Sequence, residues 1–135
     1  MNQVQTFIHQ YFQNARLLQK ELNEALKPHG LYGSQWSILF ILQDKGPLSL
    51  TQIWRYMNVE APTVTRTVNR LEALGFVEKV MGADRREKYI QLTPFAKEKV
   101  PEIHQSIKAF EQQFTERLSE QEIEVMQKLL EKMFE

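Results

Sequence analysis

Apolar residues recur through the first segment at Val4, Ile8, Tyr11, Ala15, Leu18, Leu22 and Leu26. Steps of three and four place them on one face of a long helix with a nearly heptad period. Phe7, Phe12 and Ala25 widen that stripe. Pro28 and Gly30 stop the helix. So long a stripe needs something to cover it, either the C-terminal segment or a second copy of the chain. A second helix is expected from about Ser34 to Asp44. Trp36, Ile38, Leu39, Phe40, Ile41 and Leu42 make it apolar nearly all round, so it belongs at the centre of the core.

After Gly46-Pro47, Leu48-Ser49-Leu50 reads as a short extended stretch. Ser49 with Gln52 forms a capping-box pattern that opens a short helix, with Ile53, Trp54 and Met57 expected on its inner face. Asn58-Val59-Glu60 is a tight break. Ala61-Pro62 starts a fourth helix, whose buried face is Val64, Val68 and Leu71, joined by Leu74. Gly75 is the residue expected just past its C-terminus. The period then changes to two. Phe76 to Met81 and Lys88 to Leu92 read as a two-stranded hairpin around the polar turn Gly82-Ala83-Asp84-Arg85-Arg86-Glu87.

Thr93 and Pro94 supply an N-cap and first turn for the C-terminal helical region. Pro101 is expected to interrupt or kink it. Ile103, Ile107, Phe110, Phe114 and Leu118 continue the stripe. Ser119 with Glu122 restarts a helix carrying Ile123, Met126, Leu130 and Met133, flanked by Leu129 and Phe134.

The order short strand, helix, tight turn, helix, hairpin is the winged form of the helix-turn-helix. The face of the fourth helix opposite its core stripe carries Thr63, Thr65, Arg66, Asn69 and Arg70. Such side chains suit a major groove: Arg pairs with guanine O6 and N7, Asn with adenine N6 and N7, Thr with phosphate or a thymine methyl. Pro62 and Thr63 lie at the helix N-terminus, where amide donors favour a phosphate. Arg85 and Arg86 stand on a narrow projection able to reach a minor groove. Asp84 is placed to orient one of those guanidiniums, with Arg86 the first choice for the groove and Arg85 the alternative. Arg70 has a second possible role, as internal partner of Glu72 or Asp84. Either feature alone is common on a solvated surface, but their order and spacing together are specific.

The chain resembles the MarR (multiple antibiotic resistance regulator) family of winged helix-turn-helix transcription regulators. The resemblance rests on Gln35-Trp36-Ser37-Ile38-Leu39, on Val64 to Glu72, on Leu74-Gly75-Phe76-Val77, on Asp84-Arg85-Arg86 and on Ile90-Gln91-Leu92-Thr93. It departs from the family pattern at Glu60, where Ser or Asp often caps the recognition helix, and at Tyr32, where Thr is frequent. Each costs a cap about 1 kcal/mol. Phe95-Ala96 stands where Gly is common. The resemblance implies a mainly α fold with a small β-hairpin wing (α+β). Residues 31–93 would form the winged module, and residues 1–30 and 94–135 a helical dimerisation region. It implies a homodimer on a pseudo-palindromic duplex, acting as a repressor released by a small effector. Tyr11, Phe12, Trp36 and Phe40 are the residues that could line the effector crevice, although aromatics at such spacings ordinarily fill core.

Composition first opposes and then accommodates this reading. The 135 residues hold 17 Lys+Arg and 17 Asp+Glu, a formal net charge of zero, whereas nucleic-acid binders are usually basic. The neutrality is a cancellation. Residues 53–90 carry 7 basic and 5 acidic residues, while residues 101–135 carry 4 and 8. The acidic excess sits on helices that DNA need not approach. Without cysteine there are no disulfides, thiolate metal sites or cysteine redox switches.

An enzyme is not expected. There is no G-x-G-x-x-G, P-loop or G-x-S-x-G, and His9, His29 and His104 lie far apart. No cofactor or metal is expected. The longest apolar run, Ile38 to Leu42, is far short of a membrane span, and no leader pattern is visible, so a cytoplasmic location is expected. The alternative function is a winged-helix module that binds protein without reading DNA, which calls for apolar or acidic residues on the exposed face of the fourth helix. A compact monomer of this mass would expose about 7,400 Å².

Overall fold

The structure, a computed structural model, describes residues 1–84 and 86–135. Arg85 therefore lies outside the described residues. The element order is α1 (Gln3–Leu26), a single 3-10 turn at Lys27–His29, α2 (Gly33–Lys45), β1 (Leu48–Ser49), α3 (Leu50–Met57), α4 (Ala61–Ala73), β2 (Val77–Met81), β3 (Lys88–Leu92), α5 (Pro94–Thr115) and α6 (Glu120–Phe134). This is a winged helix-turn-helix flanked by long helices.

Local chemistry accounts for most boundaries. Asn2 caps α1 by accepting from Gln5 N–H at 2.8 Å. Ser49 Oγ accepts from Gln52 N–H at 3.2 Å while Gln52 Oε1 accepts from Ser49 N–H at 2.9 Å, the reciprocal box expected there. Ser119 and Glu122 repeat it at α6. Asn58 takes the left-handed conformation (φ 52°) that lets α3 turn into α4 within a few residues, and Gly75 does the same after α4 (φ 86°). The weak caps at Tyr32 and Glu60 are real, since neither side chain caps its helix. At α2 the loss is made good from α1, where Asn23 Oδ1 accepts from Gly33 N–H at 2.6 Å.

Three local expectations change. Pro101 does not interrupt α5, which runs unbroken from Pro94 to Thr115. Its ring is exposed, and buried Val100 and Ile103 hold both sides of it against the core. The hairpin is not alone: β1 pairs antiparallel with β3 (Leu48 with Ile90), giving a three-stranded sheet in the order β1-β3-β2. This edge pairing secures the base of the wing, while only β2 and β3 extend toward its tip, Met81 opposite Lys88. Trp54 points outward, leaving Ile53 as the fully buried residue of α3.

One apolar core fills the junction of α2, α3, α4, the sheet and the first part of α5. Ile38, Leu39, Ile53, Val68, Leu71 and Ile90 are wholly buried. The C-terminal end of α1 joins it through Leu26, with Leu22 and Ala25 packed against it. Thr93 ties the wing to the helices beyond it. Its Oγ1 donates to the Gly75 carbonyl and accepts from Ala96 N–H, and its own N–H donates to the Phe76 carbonyl at 3.1 Å.

The two ends of the chain behave differently. Val4, Phe7, Ile8, Tyr11, Phe12 and Leu18 on α1 are exposed, and α6 has no buried residue. Tyr11 meets Phe134 at 6.3 Å between ring centroids, so α1 and α6 touch without covering each other. The accessible surface is 10,256 Å². That exceeds the compact expectation by about 2,900 Å². No helix among the described residues is long and apolar enough to cross a membrane.

Candidate nucleic-acid interface

The fourth helix has the two faces its spacing predicted. Val64, Val68 and Leu71 are at most 2% exposed. Pro62, Thr63, Thr65, Arg66, Asn69 and Arg70 are all exposed on the other side. The helix is anchored by its apolar stripe, so its polar stripe is presented as a fixed surface. Three side-chain hydrogen bonds organise the N-terminal turns. Thr65 Oγ1 donates to the Ala61 carbonyl at 3.1 Å, Thr67 Oγ1 to the Thr63 carbonyl at 2.9 Å, and Arg66 Nη2 to Thr63 Oγ1 at 3.3 Å. Thr63 thus steers the Arg66 guanidinium along the helix face while leaving most of its donors free.

At the wing tip Arg86 is exposed, and the turn beneath it is closed by Glu87 N–H donating to the Asp84 carbonyl at 3.0 Å. The Asp84 carboxylate does not orient the Arg86 guanidinium. Its Oδ1 accepts from the Arg86 backbone N–H at 3.0 Å, because a side chain two residues upstream in a turn reaches the amide more easily than the end of a long flexible side chain. Asp84 therefore shapes the tip. Arg70 forms no ion pair with Glu72 or Asp84 among the described residues and points to solvent.

Glu72 instead faces Lys79 of β2, at 3.7 Å. The same ammonium donates to Asn69 Oδ1 at 2.7 Å. Lys79 was missed from sequence. It follows Val77 by two and so shares the strand face turned toward α4, a signal that becomes usable only once the hairpin is docked.

The four aromatics expected to line an effector crevice are not gathered in one place. Trp36 is 6% exposed, with its ring 5.9 Å from that of His104. Trp36 and Phe40 line a crevice of 260 Å³ with Leu22, Tyr56, His104 and Phe110. Tyr11 lines a different one of 370 Å³, between α1 and α6, and Phe12 lines neither. Tyr11 is eleven residues before Leu22, about 16 Å along a helix, which is why a single crevice cannot hold both. Tyr56 and His104 were not foreseen, since their positions depend on how α3 and α5 pack on α2.

A core-anchored helix with a Thr/Arg/Asn face, next to a hairpin with an arginine tip, defines a winged helix-turn-helix protein of the gene-regulatory class. Residues 31–88 match the MarR family model. The HTH-type transcriptional regulator YwoH of Bacillus subtilis, itself uncharacterized, is 51% identical over 106 residues, covering 78% of this chain and 77% of that one. The chain belongs to the MarR family and is a transcription regulator, not an enzyme. Solved structures share the fold at lower identity. A mutant MarR from E. coli, complexed with operator DNA, superposes with a TM-score of 0.82 at 23% identity, over 98% of this chain and 94% of that one. BldR from Sulfolobus solfataricus gives 0.83 at 22%, over 99% and 98%. Reduced AbfR bound to DNA gives 0.79 at 23%, over 97% and 91%.

Proposed function

We propose that this regulator is a homodimeric repressor that reads a pseudo-palindromic double-stranded operator and is released by a small effector. The observation that carries the reading is the division of α4, with its apolar stripe buried and its Arg/Asn/Thr stripe free beside the wing. In this reading α4 enters the major groove, with Arg66, Asn69 and Arg70 toward base edges and Pro62, Thr63 and Thr65 toward phosphate. Arg86 enters the adjoining minor groove, and Arg85 is the alternative. DNA is also what MarR and AbfR are bound to in the superposed complexes. A protein-binding winged helix fits less well, since the exposed stripe of α4 carries no acidic residue and no large apolar one ahead of its last turn.

Residues 31–93 act as the DNA-reading unit, and residues 1–30 and 94–135 as the dimerisation region. The excess surface of about 2,900 Å² supports this division, as it is of the size that a substantial interface removes. More than half of the exposed large apolar residues lie on α1 and α6. Two subunits would place their α4 helices about one DNA turn apart. The crevice lined by Trp36 and Phe40 sits where α2, α3 and α5 meet, between that region and the reading unit. A ligand there that favours a spacing of the two α4 helices unsuited to DNA would release the operator by population shift. Tyr11 and Phe12 belong to the α1 face that meets the second subunit. The site of action is the cytoplasm, with the chromosome.

The test is binding to duplex DNA across a salt series. Each phosphate neutralised should contribute a slope of about −0.9 in log K against log salt. Measurable binding with a steep slope is expected, and a flat profile would overturn the proposal.

A further inference from the structure

Lys79 of β2 meets Asn69 on the exposed face of α4. A lysine ammonium has donors and no acceptor, so the atom it meets at 2.7 Å must be the carboxamide oxygen of Asn69. Two residues of α4 hold it there. Asn69 and Glu72 are three apart and therefore on the same side of the helix. Glu72 Oε1, at 3.7 Å, balances the lysine charge. That carboxylate also makes the ammonium a poor recruit for a DNA phosphate, because moving it would leave Glu72 facing the duplex alone. The Lys79 side chain is 29% exposed, so solvent competes only in part for the contact.

Asparagine reads adenine through two bonds: its oxygen accepts from N6 and its nitrogen donates to N7. Here the oxygen is drawn toward β2, and a positive charge lies beside it. An approaching adenine amino group meets an oxygen that already gives one of its two lone pairs to Lys79 and is drawn away from the base, so it is the poorer acceptor. A guanine edge offers only acceptors, O6 and N7, and is favoured by the free Asn69 amide donors. We infer that Lys79 is a positioning residue that biases Asn69 toward reading through its amide donors, selecting guanine over adenine at the base pair Asn69 faces. The inference rests on the proposed docking of α4 in the major groove.

Selection of bound duplexes from a randomised double-stranded pool tests it. The intact protein should enrich a sequence with guanine, not adenine, at the Asn69 position. Lys79→Met keeps the aliphatic stem and removes the charge, and should shift the ratio toward adenine by about tenfold or more. Lys79→Arg, which can still donate to Asn69, should keep the original preference. In an Asn69→Ala background, Lys79→Met should leave the preference unchanged. An unaltered profile for Lys79→Met, a shift toward guanine, or a shift that survives in the Asn69→Ala background would overturn the inference. Failure of the intact protein to enrich any sequence would instead remove the DNA-reading proposal beneath it.

Discussion

Replacing Thr93 by valine removes one oxygen and little else in shape, and that oxygen makes two bonds. It accepts from Ala96 N–H at 3.1 Å, capping α5, and it donates to the Gly75 carbonyl, closing the turn that follows α4. Loss of a threonine cap costs about 1 kcal/mol. Loss of the hydroxyl-to-carbonyl bond costs about another 1 kcal/mol. The backbone bond from Thr93 N–H to the Phe76 carbonyl is unaffected, so the total is about 2 kcal/mol. For 135 residues the unfolding entropy is about 0.28 kcal/mol per kelvin, which converts this into a fall in Tm of about 7 °C. Urea and thermal unfolding should be followed by circular dichroism at one fixed protein concentration, because the stability of the proposed dimer depends on it. Thr93→Ser retains the oxygen and should stay within about 0.5 kcal/mol of the parent. A valine variant equally close to the parent would refute the reasoning, and would mean that water replaces both bonds at no cost.

Two further outcomes follow from the same geometry. Arg66→Ala should weaken operator binding with loss of base preference, whereas Arg86→Ala should weaken it while leaving the major-groove preference intact. Competition binding against single-base operator variants separates the two, and unchanged affinity for both in a folded protein would contradict the interface. Leu130→Glu should yield a folded monomer in sedimentation velocity, since Leu130 is exposed within the subunit yet lies on the apolar face of α6. A variant that remains dimeric would exclude that face from the interface.

The site was legible where its residues depend on their own helix or strand. Steps of three and four separated Val64, Val68 and Leu71 from Arg66, Asn69 and Arg70 before any packing was known. The same holds for the caps at Ser49, Thr93 and Ser119, where donor and acceptor are three residues apart. Legibility failed where a side chain had to choose among neighbours. Asp84 took the amide of Arg86 instead of its guanidinium because the turn brought the amide within reach. Glu72 found Lys79 rather than Arg70 because β2 docks beside α4.

The sequence by itself determined the order of the helices and the hairpin and the inner face of α4, because hydrophobic period and capping are short-range properties of the chain, and its motifs pointed to the family. It also determined that neutrality was a balance between a mildly basic module and acidic C-terminal helices. Only the tertiary structure decided that β1 completes the sheet, that Asn23 caps α2, that Tyr11 and Trp36 lie in separate crevices, and that Lys79 holds Asn69. Each of these joins residues ten or more positions apart in sequence. Bonds of that kind form or fail over differences of an ångström, and those distances are set by how whole helices and strands pack, not by the pattern along any one of them.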